Sequence, residues 1–467
     1  MLGFTNRIKK LFDFPDHYTC QESRPDAKGD IKMQDVTPST AMQRIFCGSS
    51  KLVRDSFSHR VAKNAAALIV LQIANYVVPL LVLVYLTRVL GMERYGVVAF
   101  SIGLVQFSSI LLDFGFTLSA TQKISIWRLR KKYISRLIGS IFLIKFFIFL
   151  FVATGIILYS FLSVKYESHA YLFILSLIPI FGLGFQLDWF FTGIERMRHI
   201  TIFSIIAKLI FLFLVMSLIS DESDYLWVPV ANGLAQVSAL LISFYFMYRL
   251  GYHIALPRQR DIFYTVKVTS GFFMSRLSVT AYMNSGVVLL GLFSTPLAVA
   301  TYSLAEQLYK ALQSVFAPIV QAVYPYMAIE KNISLFFKIA MGCVAIAFTG
   351  AVFGYFLAPR VIPFFLGAEW GSSIPILNIF FVALTVHVMA VMSGYPLAVA
   401  IDRVDVANLS VVYGSLIYIL CTSILISLGR ATPSTFAILM IVSEFFVLVY
   451  RGIMLWPAAY RIERSKA

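Results

Sequence analysis

The chain has 467 residues, of which 59% are apolar and only 13% charged. Soluble domains place charge on about 25% of their residues because they must cover a surface with it, so a water-soluble fold is excluded and a polytopic membrane protein is expected. A formal net charge of +16 would suit a nucleic-acid binder only if Lys and Arg gathered on one soluble face among stacking aromatics; here they fall in the first 60 residues and in short gaps between apolar runs, so no nucleic-acid partner is expected.

Residues 1–60 read as a polar cytoplasmic tail with a turn-rich middle, Arg24-Pro25-Asp26 to Gly29-Asp30. Its first segment, Met1–Phe14, alternates Leu2, Phe4, Ile8, Leu11 and Phe12 with Arg7, Lys9 and Lys10. Two readings stand for it, a short helix lying on the membrane surface and an unstructured tail, and Met33 and Met42 are alternative starts. The four cysteines (Cys20, Cys47, Cys343 and Cys421) imply no disulfide framework, and no cleavable signal peptide is expected.

From Val61 onward, apolar runs recur at the length a hydrocarbon core of about 30 Å demands. Twelve are expected, at 61–87, 95–118, 137–162, 170–192, 199–219, 226–248, 265–292, 297–326, 335–357, 373–399, 406–428 and 433–457. A closed β-barrel would instead alternate in segments of about ten residues. The fold class is therefore an all-α polytopic membrane protein with twelve transmembrane helices.

Loop charge predicts orientation. Gaps after even-numbered spans, with the first turn of the span that follows, hold Lys123, Arg128, Arg130, Lys131, Lys132, Arg136, Arg196, Arg198, Arg249, Arg258, Arg260, Lys267, Lys331, Lys338 and Arg403, fifteen basic residues. Gaps after odd-numbered spans hold five, Arg88, Arg94, Lys165, Arg360 and Arg430. The positive-inside rule then puts both termini in the cytoplasm. Leu90-Gly91 followed by Val98-Ala99-Phe100-Ser101 is echoed by Leu290-Gly291 and Ala300-Thr301-Tyr302-Ser303. An offset of six spans would make the halves parallel repeats.

Ionisable side chains in lipid cost about 2.5–3.5 kcal/mol on insertion scales and usually face a cavity or a partner. Asp113 shares a face of span two with Gln106 and Ser109, and Lys208 lies in span five above Ser204 and Thr201. Arg276 is near the middle of span seven, its face continued by Thr280 and Asn284 at helical spacing. Span eight carries Glu306 and Lys310 with Tyr302 and Gln313 along the stripe. Glu306 and Lys310 are either part of a site or a self-contained ion pair. Arg88, at the end of span one, either anchors that end or lines an outer mouth. Lys145 and Arg451 have stems long enough to snorkel and stay out of the site, and His387 reads as a core histidine.

No Gly-Lys dipeptide occurs, hence no phosphate loop; no HExxH or Cys/His cluster suggests zinc, and no GxSxG elbow suggests a hydrolase. The longest gap, 119–136, leaves no room for a catalytic domain. A transporter rather than an enzyme is expected, with no cofactor.

Three blocks of sequence resemble a known family. Tyr85-Leu86-Thr87-Arg88-Val89-Leu90-Gly91, Tyr95-Gly96 and Asp113-Phe114-Gly115-Phe116 resemble the first two helices of Wzx-type flippases, the polysaccharide-transporter branch of the multidrug/oligosaccharidyl-lipid/polysaccharide exporter (MOP) superfamily. Asp188-Trp189-Phe190-Phe191-Thr192-Gly193-Ile194-Glu195 resembles that family's fourth helix, and Ala305-Glu306-Gln307-Leu308-Tyr309-Lys310-Ala311 with Tyr324-Pro325 its eighth. The resemblance implies two six-helix bundles around a central cavity, here 61–250 and 265–457, joined by a cytoplasmic linker at 251–264 and followed by a tail at 458–467. It implies a bacterial inner-membrane protein that moves undecaprenyl-pyrophosphate-linked oligosaccharide units to the periplasmic leaflet for O-antigen, capsule or related polysaccharides. Membrane lipid, a polysaccharide polymerase and a chain-length regulator are the further partners implied.

On that reading Arg276, Lys208 and Lys310 would replace the hydration of the pyrophosphate, Thr280, Asn284, Tyr302 and Gln313 would bond sugar hydroxyls, Arg88 would be a further substrate-binding residue of the cavity, and Asp113 or Glu306 would be a proton or cation site. The coupling ion stays open between H⁺, Na⁺ and none. A multidrug extruder of the same superfamily would want an acidic cavity, and a membrane scaffold for polysaccharide assembly would tolerate loss of every intramembrane charge.

Overall fold

A peptide group in hydrocarbon has no water to bond, so each apolar run closes its own hydrogen bonds as a helix. The computed structural model describes residues 50–127 and 130–466, with side chains described at 75–127, 130–273, 277, 284–458 and 460. Residues 1–62 and 63–467 are separate units. Of the first, only helical backbone from Ser50 is described, and the surface-helix reading of Met1–Phe14 lies outside the described residues.

The α-helices run in order α1 (Ser50–Asp113), α2 (Phe116–Trp127), α3 (Lys131–Leu162), α4 (Ala170–Leu175), α5 (Leu177–Gly184), α6 (Asp188–Gly193), α7 (Met197–Leu218) and α8 (Trp227–Arg249). Then come α9 (Gln259–Met283), α10 (Gly286–Phe293), α11 (Pro296–Ser314), α12 (Ala317–Glu330), α13 (Ile333–Leu366), α14 (Ile374–Met392), α15 (Tyr395–Ala400), α16 (Val404–Ser427) and α17 (Pro433–Lys466). Short 3₁₀ turns occupy Val164–His169, Glu222–Leu226 and Ala368–Ser373, and the described residues contain no strand.

The all-α membrane fold expected from composition is present, but the count of spans differs. Ten described segments are long and apolar enough to cross a membrane. One of them, Asn75–Asp113, holds parts of the first two expected spans on either side of Gly91, whose φ of 65° and ψ of 175° break the helix. The expected seventh span is helical in two pieces, α9 and α10, and is not among the ten. Other spans are also interrupted, at 114–115, 185–187, 315–316 and 393–394.

Element boundaries repeat along the chain. The α1–α2 break at 113–116 recurs 201 residues later as the α11–α12 break at 314–317, and α6 (188–193) recurs 207 residues later as α15 (395–400). Each short helix ends in a non-glycine residue in the left-handed region, Glu195 at φ 59° and Asp402 at φ 56°. Beyond each, the same bond closes the turn: Arg196 N–H donates to Phe191 O at 2.9 Å and Arg403 N–H to Ala398 O at 2.8 Å, the pattern of a Schellman-type end.

Packing follows the same division. α8 packs on α7 and α5, and α2 on α6; α17 packs on α14 and α16, α11 on α14, and α12 on α15. α9 bridges, touching α2 and α3 as well as α16. At the end marked by Gly91 and Gly291, the two halves meet closely. A Cβ at Gly96 would stand 2.0 Å from the Pro296 carbonyl oxygen, and one at Gly291 2.0 Å from the Phe100 ring. Small residues let backbones approach in this way where apolar burial gives helices no driving force. Tyr166 Oη donates to Gly291 O at 2.9 Å, and Gln307 Nε2 donates to Tyr95 Oη at 3.0 Å, adding polar ties across the seam.

Candidate functional site

Beneath that seam lies a cavity of about 400 Å³, within the range of about 300–1,000 Å³ usual for ligand sites. α1 contributes Asn75, Tyr76 and Gln106, α7 contributes Lys208, and α8 contributes Asn232 and Gln236. From the other half come Asn284, in the turn between α9 and α10, and Ser303, Glu306, Gln307 and Lys310 of α11. Helical spacing explains the grouping: Asn232 and Gln236, Ser303 and Gln307, and Glu306 and Lys310 are each four apart, hence on one face. Gln186 Nε2 donates to Gln236 Oε1 at 2.8 Å, and Gln236 Nε2 to Asn232 Oδ1 at 3.3 Å, so the amides on that wall hold one another in place.

Of the residues singled out in the sequence, Lys208, Asn284, Glu306 and Lys310 line this cavity. Lys310 Nζ is 3.0 Å from Glu306 Oε2 and donates to Asn284 Oδ1 at 3.2 Å, so its charge is balanced within the cavity wall. A close pair of opposite charges adds little net charge to the cavity. Lys208, half-buried, makes no hydrogen bond or ion pair among the described residues. Among the described residues of the cavity, it is the cation left available to an anion.

The remaining candidates lie elsewhere. Arg88 is exposed and donates to the carbonyl oxygens of Phe364 (3.1 Å) and Phe365 in the last turn of α13. Tyr302 is 2% exposed and packs edge-on to Phe380 within the second half. Gln313 lines a smaller hollow of about 80 Å³ beside His387. Asp113 accepts from Thr117 N–H at 3.2 Å and Thr117 Oγ1 at 2.6 Å, which caps the start of α2 just past the α1–α2 break. The side chains of Arg276 and Thr280 lie outside the described residues, although the α9 backbone that carries them is helical.

Two cations expected to snorkel do not. Lys145 is 3% exposed and donates from Nζ to Gly184 O at 2.6 Å, the last carbonyl of α5. Arg451 is 6% exposed; it donates to Ser410 Oγ at 2.8 Å, to Ala407 O at 3.2 Å, and to Ala390 O in the last turn of α14. The reason is common to both. A helix that ends inside the membrane leaves carbonyls unpaired with a negative partial charge, and a buried cation there satisfies them. Lys165, which is exposed, also donates to carbonyls at the end of α10, Gly291 O (2.7 Å) and Ser294 O.

Sequence reasoning missed Asn75, Tyr76, Asn232, Gln236, Ser303 and Gln307, because uncharged amides and hydroxyls carry no penalty large enough to mark them. The four-residue spacing of Asn232 with Gln236 was the available signal.

Residues 61–331 match the family described as polysaccharide biosynthesis protein. A protein of Shigella dysenteriae named "Putative O-antigen transporter" is 27% identical over 344 residues, 72% of this chain and 85% of that one. One of the same name from Escherichia coli strain K12 is 29% identical over 272 residues, 56% of this chain and 64% of its own length. Among solved structures, the lipid II flippase MurJ in an inward closed conformation shares the fold at a TM-score of 0.65 and 14% identity, over 83% of this chain and 87% of that one. A multidrug resistance MATE family transporter of the MOP superfamily, inward-facing, does so at 0.62 and 14%, over 83% and 95%. Family match, helical order and fold agree, and the chain belongs to the polysaccharide biosynthesis protein family.

Proposed function

We propose that this protein is a flippase that carries undecaprenyl-pyrophosphate-linked oligosaccharide units from the cytoplasmic to the periplasmic leaflet of a bacterial inner membrane, both of its termini lying in the cytoplasm. The observation that carries the reading is the cavity itself, lined on both sides by amides and hydroxyls around Lys208. Sugars need fixed hydrogen-bond partners because water cannot follow them across, and a diphosphate needs a cation because bare charge in hydrocarbon costs tens of kcal/mol. Lys208 supplies the charge, and Asn75, Asn232, Gln236, Asn284, Ser303 and Gln307 the partners. Arg276 and Thr280 join them in the proposal through their place on α9 alone.

The mechanism proposed is alternating access by rocking of the halves 61–250 and 265–457, with the seam at Gly96 and Gly291 opening as the other end closes. A lipid tail can stay in the bilayer while the head group passes between parting bundles. An interior-negative potential favours outward movement of an anion by about 2.3 kcal/mol per charge per 100 mV, so the cycle has a driving force without nucleotide. The O-antigen transporter name of the relatives and the lipid-linked cargo named for MurJ support the same class of substrate. An organic-cation extruder is disfavoured, since Glu306, the carboxylate of the cavity among the described residues, is neutralised by Lys310.

The test is complementation of a strain whose own flippase gene is deleted and which then accumulates lipid-linked units on the inner leaflet. The chain should restore surface polysaccharide, while Lys208→Ala and Arg276→Ala should each reduce it at least tenfold at unchanged protein level. Normal display in both variants would defeat the anion-binding cavity, and a wild-type chain that clears no lipid-linked units would defeat the function.

A further inference from the structure

A second cavity, of about 230 Å³, lies within the second half and shares none of the lining residues of the first. It sits against the break between α14 and α15, with Gly394, Tyr395 and Pro396 in its wall. His387 of α14 and Glu444 of α17 meet there, with Nδ1 and Oε1 2.7 Å apart. Glu444 is 2% exposed, and its second oxygen, Oε2, is buried with no hydrogen-bond partner among the described residues.

Arg451, also in the wall, donates to Ser410, Ala407 and Ala390. From α15, Tyr395 Oη donates to Asn408 Oδ1 of α16 at 2.6 Å, and Tyr324 of α12 stands edge-on to the Tyr395 ring at 6.4 Å. Tyr309 of α11 approaches the His387 ring edge-on at 6.2 Å. No other ionisable side chain lines the cavity among the described residues. Nor do the described residues bring together three His, Cys, Asp or Glu side chains as a metal would require.

A carboxylate with so little exposure is costly to keep charged, and adding a proton removes the charge. Imidazole is the side chain whose ordinary titration lies near neutral pH, and two groups in contact titrate as a pair rather than singly. We propose that His387 and Glu444 form an exchangeable-proton site, holding one proton between them in one state and two in the other. With one, the pair carries a charge of −1 and balances Arg451; taking a second from bulk water leaves the pair neutral and the Arg451 charge uncompensated beside the α14–α15 break. On the function proposed above, this is where a proton enters the transport cycle, distinct from the Glu306–Lys310 pair that faces the substrate cavity.

The experiment uses the full chain in lipid nanodiscs with its six histidines labelled at the ring nitrogens, and follows their ¹⁵N resonances from pH 5 to 9. The His387 signal is the one lost in His387→Gln. Its shift should change with pH within that window, and Glu444→Gln should move the midpoint of that change. If Glu444→Gln does not fold, Glu444→Asp, which keeps the charge and lengthens the gap, should move the midpoint in the same sense by less. A His387 signal that stays constant throughout, or a midpoint that neither variant moves, overturns the site. The titration needs no substrate and so stands apart from the flippase reading. In the complementation strain, wild-type display with display lost in Glu444→Gln supports the link to transport, and equal display at external pH 6 and 8 in both overturns it. Failure of the wild-type chain to restore display counts against the proposed function alone, with the titration still deciding the site.

Discussion

The two halves of this molecule bury a cation at the same place and surround it differently. In the first, Lys145 reaches from α3 to the last carbonyl of α5; in the second, Arg451 reaches from α17 to a carbonyl in the last turn of α14. Both carbonyls precede the interruption before a short helix, α6 or α15. Around the first interruption the protein is filled with rings, Phe142, Phe149 and Phe181 all lying within 6.2 Å of Phe185. Around the second it is hollow, with His387 and Glu444 in the wall. One backbone device, met by different helices, therefore yields a packed joint in one half and a polar, yielding one in the other. Dense packing resists rearrangement because interiors are close-packed. The second joint is the better placed to move.

The sharpest way to break this comparison is to remove the cations. Arg451→Met should destabilise most, since it strands several buried acceptors at about 1–3 kcal/mol each. Lys145→Met strands one carbonyl, Gly184 O, removes the cation near Asp113 and Asp188, and should cost about 1–3 kcal/mol. Thermal unfolding in detergent should therefore rank Arg451→Met below Lys145→Met, which ranks below wild type; a reversed order would mean that the two cations do not share a role. Next come the glycines beside the joints. A Cβ at Gly184 would stand 2.2 Å from Leu112 Cδ2, and one at Gly394 2.9 Å from Arg451 Nη1 and 3.0 Å from Val391 O. Overpacking costs about 1–3 kcal/mol where neighbours cannot yield, so Gly184→Ala should lower the melting temperature more than Gly394→Ala, whose hollow surroundings can absorb it. The smallest effect belongs to Arg88→Ala. Its bonds to Phe364 and Phe365 are exposed, and their loss should cost under about 1 kcal/mol and leave polysaccharide display near wild type.

Much of the fold was legible in the sequence. Runs of about 20 apolar residues with few charges have only one outcome in a bilayer, and the blocks around Gly91, Asp188 and Ala305 pointed to the family. The breaks inside the spans were not legible. Phe185-Gln186-Leu187 contains neither Gly nor Pro, and its interruption depends on how α5 and α6 pack against neighbours. That blindness carried over to the charges. Lys145 and Arg451 read as snorkelling because nothing in the sequence said that a helix ends beside them. Asp113 read as an ion site because the α1–α2 break it caps was hidden within an apolar run. Lys208, Asn284, Glu306 and Lys310 do line the cavity, and their signal was a polar face sustained over more than one turn.

The seam at Gly96 has a practical consequence. Where main chain lies directly on main chain, with a carbonyl where the first carbon of any side chain would go, even a methyl group acts as a wedge. On the alternating-access proposal, a graded series from alanine to leucine at that position would wedge the seam apart by increasing amounts, giving a mechanical handle for trapping the protein with this end open.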